Sequence, residues 1–174
     1  MSYRYLPTIC LLSFLLTILF GCEKDITTVP PESQRAYIYF NSFEYPTDII
    51  GWQGYGMRIY NDAPSIGGKR SLFISGACMV PHAWIDFQNK SLSSYFNLRC
   101  WGKSLLRSGH VNLRLKNDYL KSVQIYISDS SWTSYKSDGS LFCAYNDTLR
   151  LELISGGFVP DSMLVDLIEI VPVK

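Results

Sequence analysis

The chain has 174 residues, 47% of them apolar and 18% charged, with a formal net charge of +1. That length suits one domain whose core is large enough to stand without disulfide staples. Near-neutral charge, with no basic run, leaves no electrostatic footprint for nucleic acid and excludes it as a charge-driven partner.

The first element is an address. Met1 to Thr8 carries one charged side chain, Arg4, and Ile9 to Phe20 follows with ten apolar residues in twelve. This is the n-region and h-region layout of a secretory signal, and the run ends too soon at Gly21-Cys22 for a comfortable membrane span. Leu19-Phe20-Gly21-Cys22 resembles the lipobox of bacterial lipoproteins. The resemblance implies removal of residues 1–21 and acylation of Cys22, which would anchor the chain at a bilayer without spanning it. Phe20 stands where that family usually has a small residue. Glu23-Lys24-Asp25 faintly resembles the acidic signals that send some lipoproteins to the outer surface. An outer-membrane lipoprotein is therefore expected, with outward display as an open possibility. Residues 26–35 are polar, contain Pro30-Pro31 and lack a period, which suits a flexible tether over 22–35.

From residue 36 onward the pattern changes to short alternating or wholly apolar runs separated by Gly, Asn, Asp, Ser and Pro. Strands are expected over 37–41, 56–60, 71–75, 84–87, 95–101, 110–116, 122–128, 140–144, 148–154 and 164–171, with no helix. About ten strands at this spacing predict an all-β fold, a single β-sandwich of jelly-roll type filling 36–174. Alternation sends Phe96, Leu98 and Cys100 inward, with Val111, Leu113 and Leu115, and with Val123, Ile125 and Ile127. The opposite faces then carry Tyr95, Arg99 and Trp101, Arg114, and Gln124 and Tyr126. Once Cys10 leaves with the signal and Cys22 is acylated, Cys78, Cys100 and Cys143 allow at most one bridge. Their apolar surroundings favour small buried hydrophobes over redox or zinc roles.

Phe43-Glu44, Gly51-Trp52, Gly67-Gly68-Lys69-Arg70-Ser71-Leu72, Trp132-Thr133-Ser134-Tyr135 and Val165-Asp166 through Ile170 follow one another in an order seen in a large group. The chain resembles the jelly-roll carbohydrate-binding modules and galactose-binding-like domains. The resemblance implies a structural Ca2+ held by Glu44, the Gly67–Arg70 loop and Asp166, and two carboxylates suit that charge. It also implies a sugar site either on a sheet face or in the edge loops. A sugar needs a flat aromatic for its C–H face and planar polar groups for its hydroxyls. Tyr95, Arg99, Trp101, Arg114, Gln124 and Tyr126 meet that need on a sheet face, and Tyr55 and Trp84 meet it in the loops. A merely solvated face with paired aromatics is the plainer alternative for the same residues. Trp52 and Trp132 match positions that pack the domain.

Neither His82 nor His110 lies near a nucleophile motif, and the phosphate-loop likeness at Gly67-Gly68-Lys69-Arg70 fails, with Ala63 at its first glycine position. Glu44 with Asp166, or Asp166 with Glu169, could be paired as glycosidase acids by counting alone. The expectation is a membrane-anchored, non-catalytic binding module for a glycan. The alternatives are a structural or assembly lipoprotein contacting another envelope protein, and a small glycosidase.

Overall fold

The computed structural model describes residues 38–76, 83–155 and 161–173. The signal segment, Cys22, the tether, Tyr37, Cys78 and His82 lie outside the described residues. The strands are β1 (Tyr39–Asn41), β2 (Gln53–Gly54), β3 (Met57–Tyr60), β4 (Ser71–Gly76), β5 (Ala83–Gln88), β6 (Ser94–Ser104), β7 (Gly109–Leu115), β8 (Asp118–Ile127), β9 (Thr133–Lys136), β10 (Leu141–Cys143), β11 (Thr148–Ser155) and β12 (Asp161–Pro172). Every expected strand is present. The short β2 and β9 are additions, and Pro46–Ile49 forms one 3-10 turn that no periodic pattern announces.

Two antiparallel sheets face each other. One runs β10-β6-β12-β4-β3, with β1 on the far half of β12 and β9 on β6, and the other runs β2-β5-β11-β7-β8. Alternation along each strand sends one row inward. Phe96, Leu98 and Cys100 from β6, with Leu72 and Ile74 from β4, meet Val111 and Leu113 from β7, Ile125 and Ile127 from β8, and Leu149, Leu151 and Leu153 from β11. Burial of this row is the main stabilising term of the fold. Trp52 packs in the core against Phe43, their rings 5.8 Å apart. Cys100 and Cys143 are free and buried, as small hydrophobes.

Long β12 serves three neighbours because it is broken by a bulge. Its first half pairs with β4 and its second with β1, while β6 follows it throughout except for a register shift between Asp166 and Glu169. Leu167 sits within that shift at φ +47, a left-handed conformation that costs a branched residue about 1–2 kcal/mol.

Candidate functional site

The outer face of the five-stranded sheet is built from rows set by strand register. Gln53, Trp84, Glu152, Asn112 and Gln124 lie opposite one another across β2, β5, β11, β7 and β8. The next row is Asp86, Arg150, Arg114 and Ser122, and on the other side lie Ile154, His110 and Tyr126. These positions alternate with core leucines and valines, so burying the inner row forces this set outward.

A groove of about 580 Å3 runs over this face, lined by Tyr55, Trp84, Arg114, Tyr119, Arg150, Glu152 and Ile154. Its floor is a satisfied ionic network. Arg114, only 3% exposed, donates from Nε to Glu152 Oε1 at 2.9 Å and from Nη1 to the Leu115 and Lys116 carbonyls. Its Nη2 lies 2.7 Å from the same Glu152 oxygen, and Asn112 Nδ2 donates to Glu152 Oε2 at 2.9 Å. Beside it, Arg150 holds Asp86 through two bonds of 2.6 and 2.8 Å, with Lys116 Nζ at 3.0 Å. The Arg150 hydrogen bonds keep the Asp86 carboxyl down at about 2. Glu152 in the groove and Asp86 beside it are thus both ion-paired. The Tyr119 ring lies over Arg114, with the guanidinium carbon 4.0 Å from its centroid, and Arg150 approaches Trp84 at 5.8 Å. Trp84 Nε1 is buried with no hydrogen-bond partner. Further along the face, Tyr126 stacks near His110 at 5.6 Å and accepts from Gln124 Nε2 at 2.9 Å.

Trp84, Arg114, Gln124 and Tyr126 therefore share one face, and Tyr55 joins them from the β2–β3 connection. Trp84, expected as a loop candidate, lies on β5, and the expected grouping of Arg114, Gln124 and Tyr126 with Tyr95, Arg99 and Trp101 is corrected. Those three project from β6, which belongs to the seven-stranded sheet, so they lie on the opposite outer face. The chain changes sheets between Ser104 and Gly109, and alternation within a strand carries no record of that change. The Tyr95 ring meets Phe142 at a tilt, 5.2 Å apart, and Arg99 and Trp101 pair with residues of β9 and β12 on either side. Near them Asp62 accepts from Lys103 Nζ at 2.8 Å and from Trp132 Nε1 at 2.9 Å, tying the loop before β4 onto that face.

Tyr119, Arg150 and Glu152 are groove residues that sequence reading passed over. Arg150 and Glu152 were legible, since they alternate with Leu149, Leu151 and Leu153. Tyr119 was not, because the pairing of β7 with β8 shifts register between Arg114 and Leu115, and the residues between Asp118 and Ser122 bulge. That bulge brings the tyrosine over Arg114.

Glu44 and Asp166, far apart in sequence, come together at the Gly67–Gly68 loop. Glu44 Oε1 accepts from the Lys69 and Arg70 amides, both at 3.0 Å, and Arg70 Nη1 donates to the Glu44 carbonyl. A Cβ on Gly68, which sits at φ +97, would lie 2.5 Å from the Glu44 carboxyl, and one on Gly67 would lie 2.2 Å from Asp166 Oδ2. Only glycines let this loop close on the two acids. Asp166 is fully buried, its Oδ1 accepts from the Leu167 amide at 2.7 Å, and its Oδ2 has no hydrogen-bond partner. Burial, with a smaller contribution from the Glu44 charge, raises its carboxyl to about 8. Left-handed Phe43 (φ +52) and Leu167 flank the two acids, so backbone strain is concentrated there. Among the described residues no group of three or more His, Cys, Asp or Glu side chains gathers to hold a metal. Any cation here would need backbone carbonyls beside the two carboxylates. Asp166 is thus buried beneath the glycine loop.

No protein-family model matches the sequence, and no curated protein matches it. Solved structures do. The CBM22-1 xylan-binding domain of Paenibacillus barcinonensis Xyn10C superposes with a TM-score of 0.56 at 18% identity, over 79% of this chain and 95% of that one. The C-terminal family 22 carbohydrate-binding module of Clostridium thermocellum Xyn10B gives 0.55 at 10% identity, over 80% and 96%. The CBM36-1 domain of a multidomain xylanase from the hindgut metagenome of Trinervitermes trinervoides gives 0.50 at 13%, over 71% and 90%. The fold is the jelly-roll sandwich shared with carbohydrate-binding modules.

Proposed function

We propose that the protein is a non-catalytic glycan-binding module, held at the cell envelope by acylated Cys22, with its sugar site in the groove of the five-stranded sheet. The observation that carries this is the groove itself. Tyr55 and Tyr119, 56% and 74% exposed, offer aromatic faces on a rigid, charge-paired floor. Such rings cover the apolar face of a pyranose, and the unpartnered Trp84 Nε1 is a donor for which a hydroxyl is a suitable acceptor. The groove's carboxylates and guanidiniums are mutually neutralised, which favours an uncharged glycan over an acidic one. Support also comes from the fold neighbours, one of which is described as xylan-binding. Xylan and other neutral plant polysaccharides are the first ligands to try. Affinity electrophoresis through gels containing each polysaccharide tests the proposal, and unretarded migration in every gel would refute it.

A structural Ca2+ between Glu44 and Asp166 belongs to the same reading. Its support is the buried, unpartnered Asp166 Oδ2 beside a second carboxylate under a glycine loop. A divalent cation would offset the cost of that oxygen and hold the loop against β12. Lipid anchoring and outward display rest on the lipobox and the following acidic residues, and globomycin-sensitive processing at Cys22 tests the former.

A further inference from the structure

Exposed apolar side chains cluster at one corner of the sandwich, away from the groove. Leu92 is 86% exposed, and Tyr145, Tyr95 and Phe142 are about half exposed. The Tyr95 and Phe142 rings meet at a tilt, 5.2 Å apart, and Leu92 and Tyr145 border a hollow of about 710 Å3 whose walls include Ile38 and Lys90. Among the described residues, no carboxylate side chain lines that hollow.

The loop that presents Leu92 is braced. Asn89 is fully buried, donates to the Ala144 carbonyl at 3.1 Å and accepts from the Ser91 amide at 2.9 Å. Its backbone bonds to both Asn146 and Asp147, and Ser93 Oγ accepts from the Tyr145 amide at 3.0 Å. Five anchoring contacts hold an almost bare leucine outward at the tip.

We propose that this corner rests on the lipid bilayer surface, with Leu92 inserted and Tyr95, Phe142 and Tyr145 at the headgroup level. The inference rests on the membrane anchoring proposed above. Ile38, where the described chain begins, lines the same hollow and is bonded to the Ile170 carbonyl at 3.0 Å. Cys22 lies sixteen residues earlier. A random-coil tether of that length, as its composition leads one to expect, would span roughly 22 Å on average and would hold the corner at Ile38 nearest the membrane. Tethering also makes the contact intramolecular, so one leucine and three aromatic rings suffice where they would fail in free solution. Aromatic rings with a nearby lysine match the bilayer interface in chemistry. Tyr95 projects from the sheet opposite the groove, so this docking leaves the groove facing away from the membrane.

The test uses the full chain, produced in a bacterial host and reconstituted into vesicles of phosphatidylethanolamine and phosphatidylglycerol (~3:1) containing nitroxide-labelled lipid. A fluorophore is placed on Leu92→Cys or, at the other end of β6, on Leu106→Cys. Quenching severalfold stronger at 92 than at 106, and lost in Tyr95→Ser/Phe142→Ser while the chain still sediments with vesicles, is the expected result. Equal quenching at both positions in sedimenting chain overturns the inference and leaves the anchor standing. Failure to sediment removes the anchor. Because the contact depends on the tether, loss of the anchor overturns the inference together with the reading it rests on, whereas equal quenching in sedimenting chain overturns the inference alone. Concentration-dependent self-association abolished by Leu92→Ser, without quenching, would assign the corner to a second copy and overturn the inference.

Discussion

Asp166 makes the stability of this protein depend on pH in an unusual direction. Its carboxyl stands at about 8 in the folded protein against 3.8 ordinarily, chiefly through burial. Between those values the folded state keeps a proton that the unfolded chain releases, so the contribution of Asp166 to stability is fully present below about pH 4 and is lost as pH rises toward 8. At about 1.4 kcal/mol per pKa unit, the ceiling of the loss is roughly 6 kcal/mol. Asp166→Asn keeps the shape and removes the titration. Urea midpoints at pH 5 and pH 8 in chelator should fall for the native protein by on the order of 1 M or more, and should be nearly flat for the variant. Ca2+ added at pH 8 should restore the native midpoint and leave the variant unchanged. Parallel pH dependences in the two proteins would refute the reasoning about Asp166. Restoration of both by Ca2+ would place the cation elsewhere.

Glu152→Ala strands Arg114 in the groove floor and should cost about 3–5 kcal/mol in urea unfolding, whereas Arg114→Met with Glu152→Leu should recover much of it. Tyr119→Ala should leave the melting temperature nearly unchanged, because the ring is largely exposed, yet weaken glycan binding about tenfold by calorimetry. Gly68→Ala places a methyl against the Glu44 carboxyl at a left-handed position and should destabilise by about 2 kcal/mol or more in thermal unfolding. Burial raises both core thiols, Cys143 to about 11, so neither should react with a maleimide until the protein is unfolded in urea.

The sandwich was legible because its strands are amphipathic at period two, and residues such as Leu98, Val111 and Ile125 could face only inward. What alternation could not carry was the assignment of strands to sheets. Trp101 and Arg114 each point outward, yet a four-residue connection separates their sheets and turns them to opposite faces. Glu44 and Asp166 were found through the ordered resemblance of short motifs, since nothing local in either strand predicts that the two acids meet. Tyr119 escaped because it falls between the expected strands 110–116 and 122–128, where its position depends on a bulge.

The central claim is that sugar binds the groove of the five-stranded sheet and not the opposite face. Titration calorimetry of a retained polysaccharide against the native protein, Trp84→Ala and Trp101→Ala tests it most directly. Loss of binding in Trp84→Ala with native affinity in Trp101→Ala is the predicted result. The reverse pattern would move the site to the seven-stranded sheet and contradict the account.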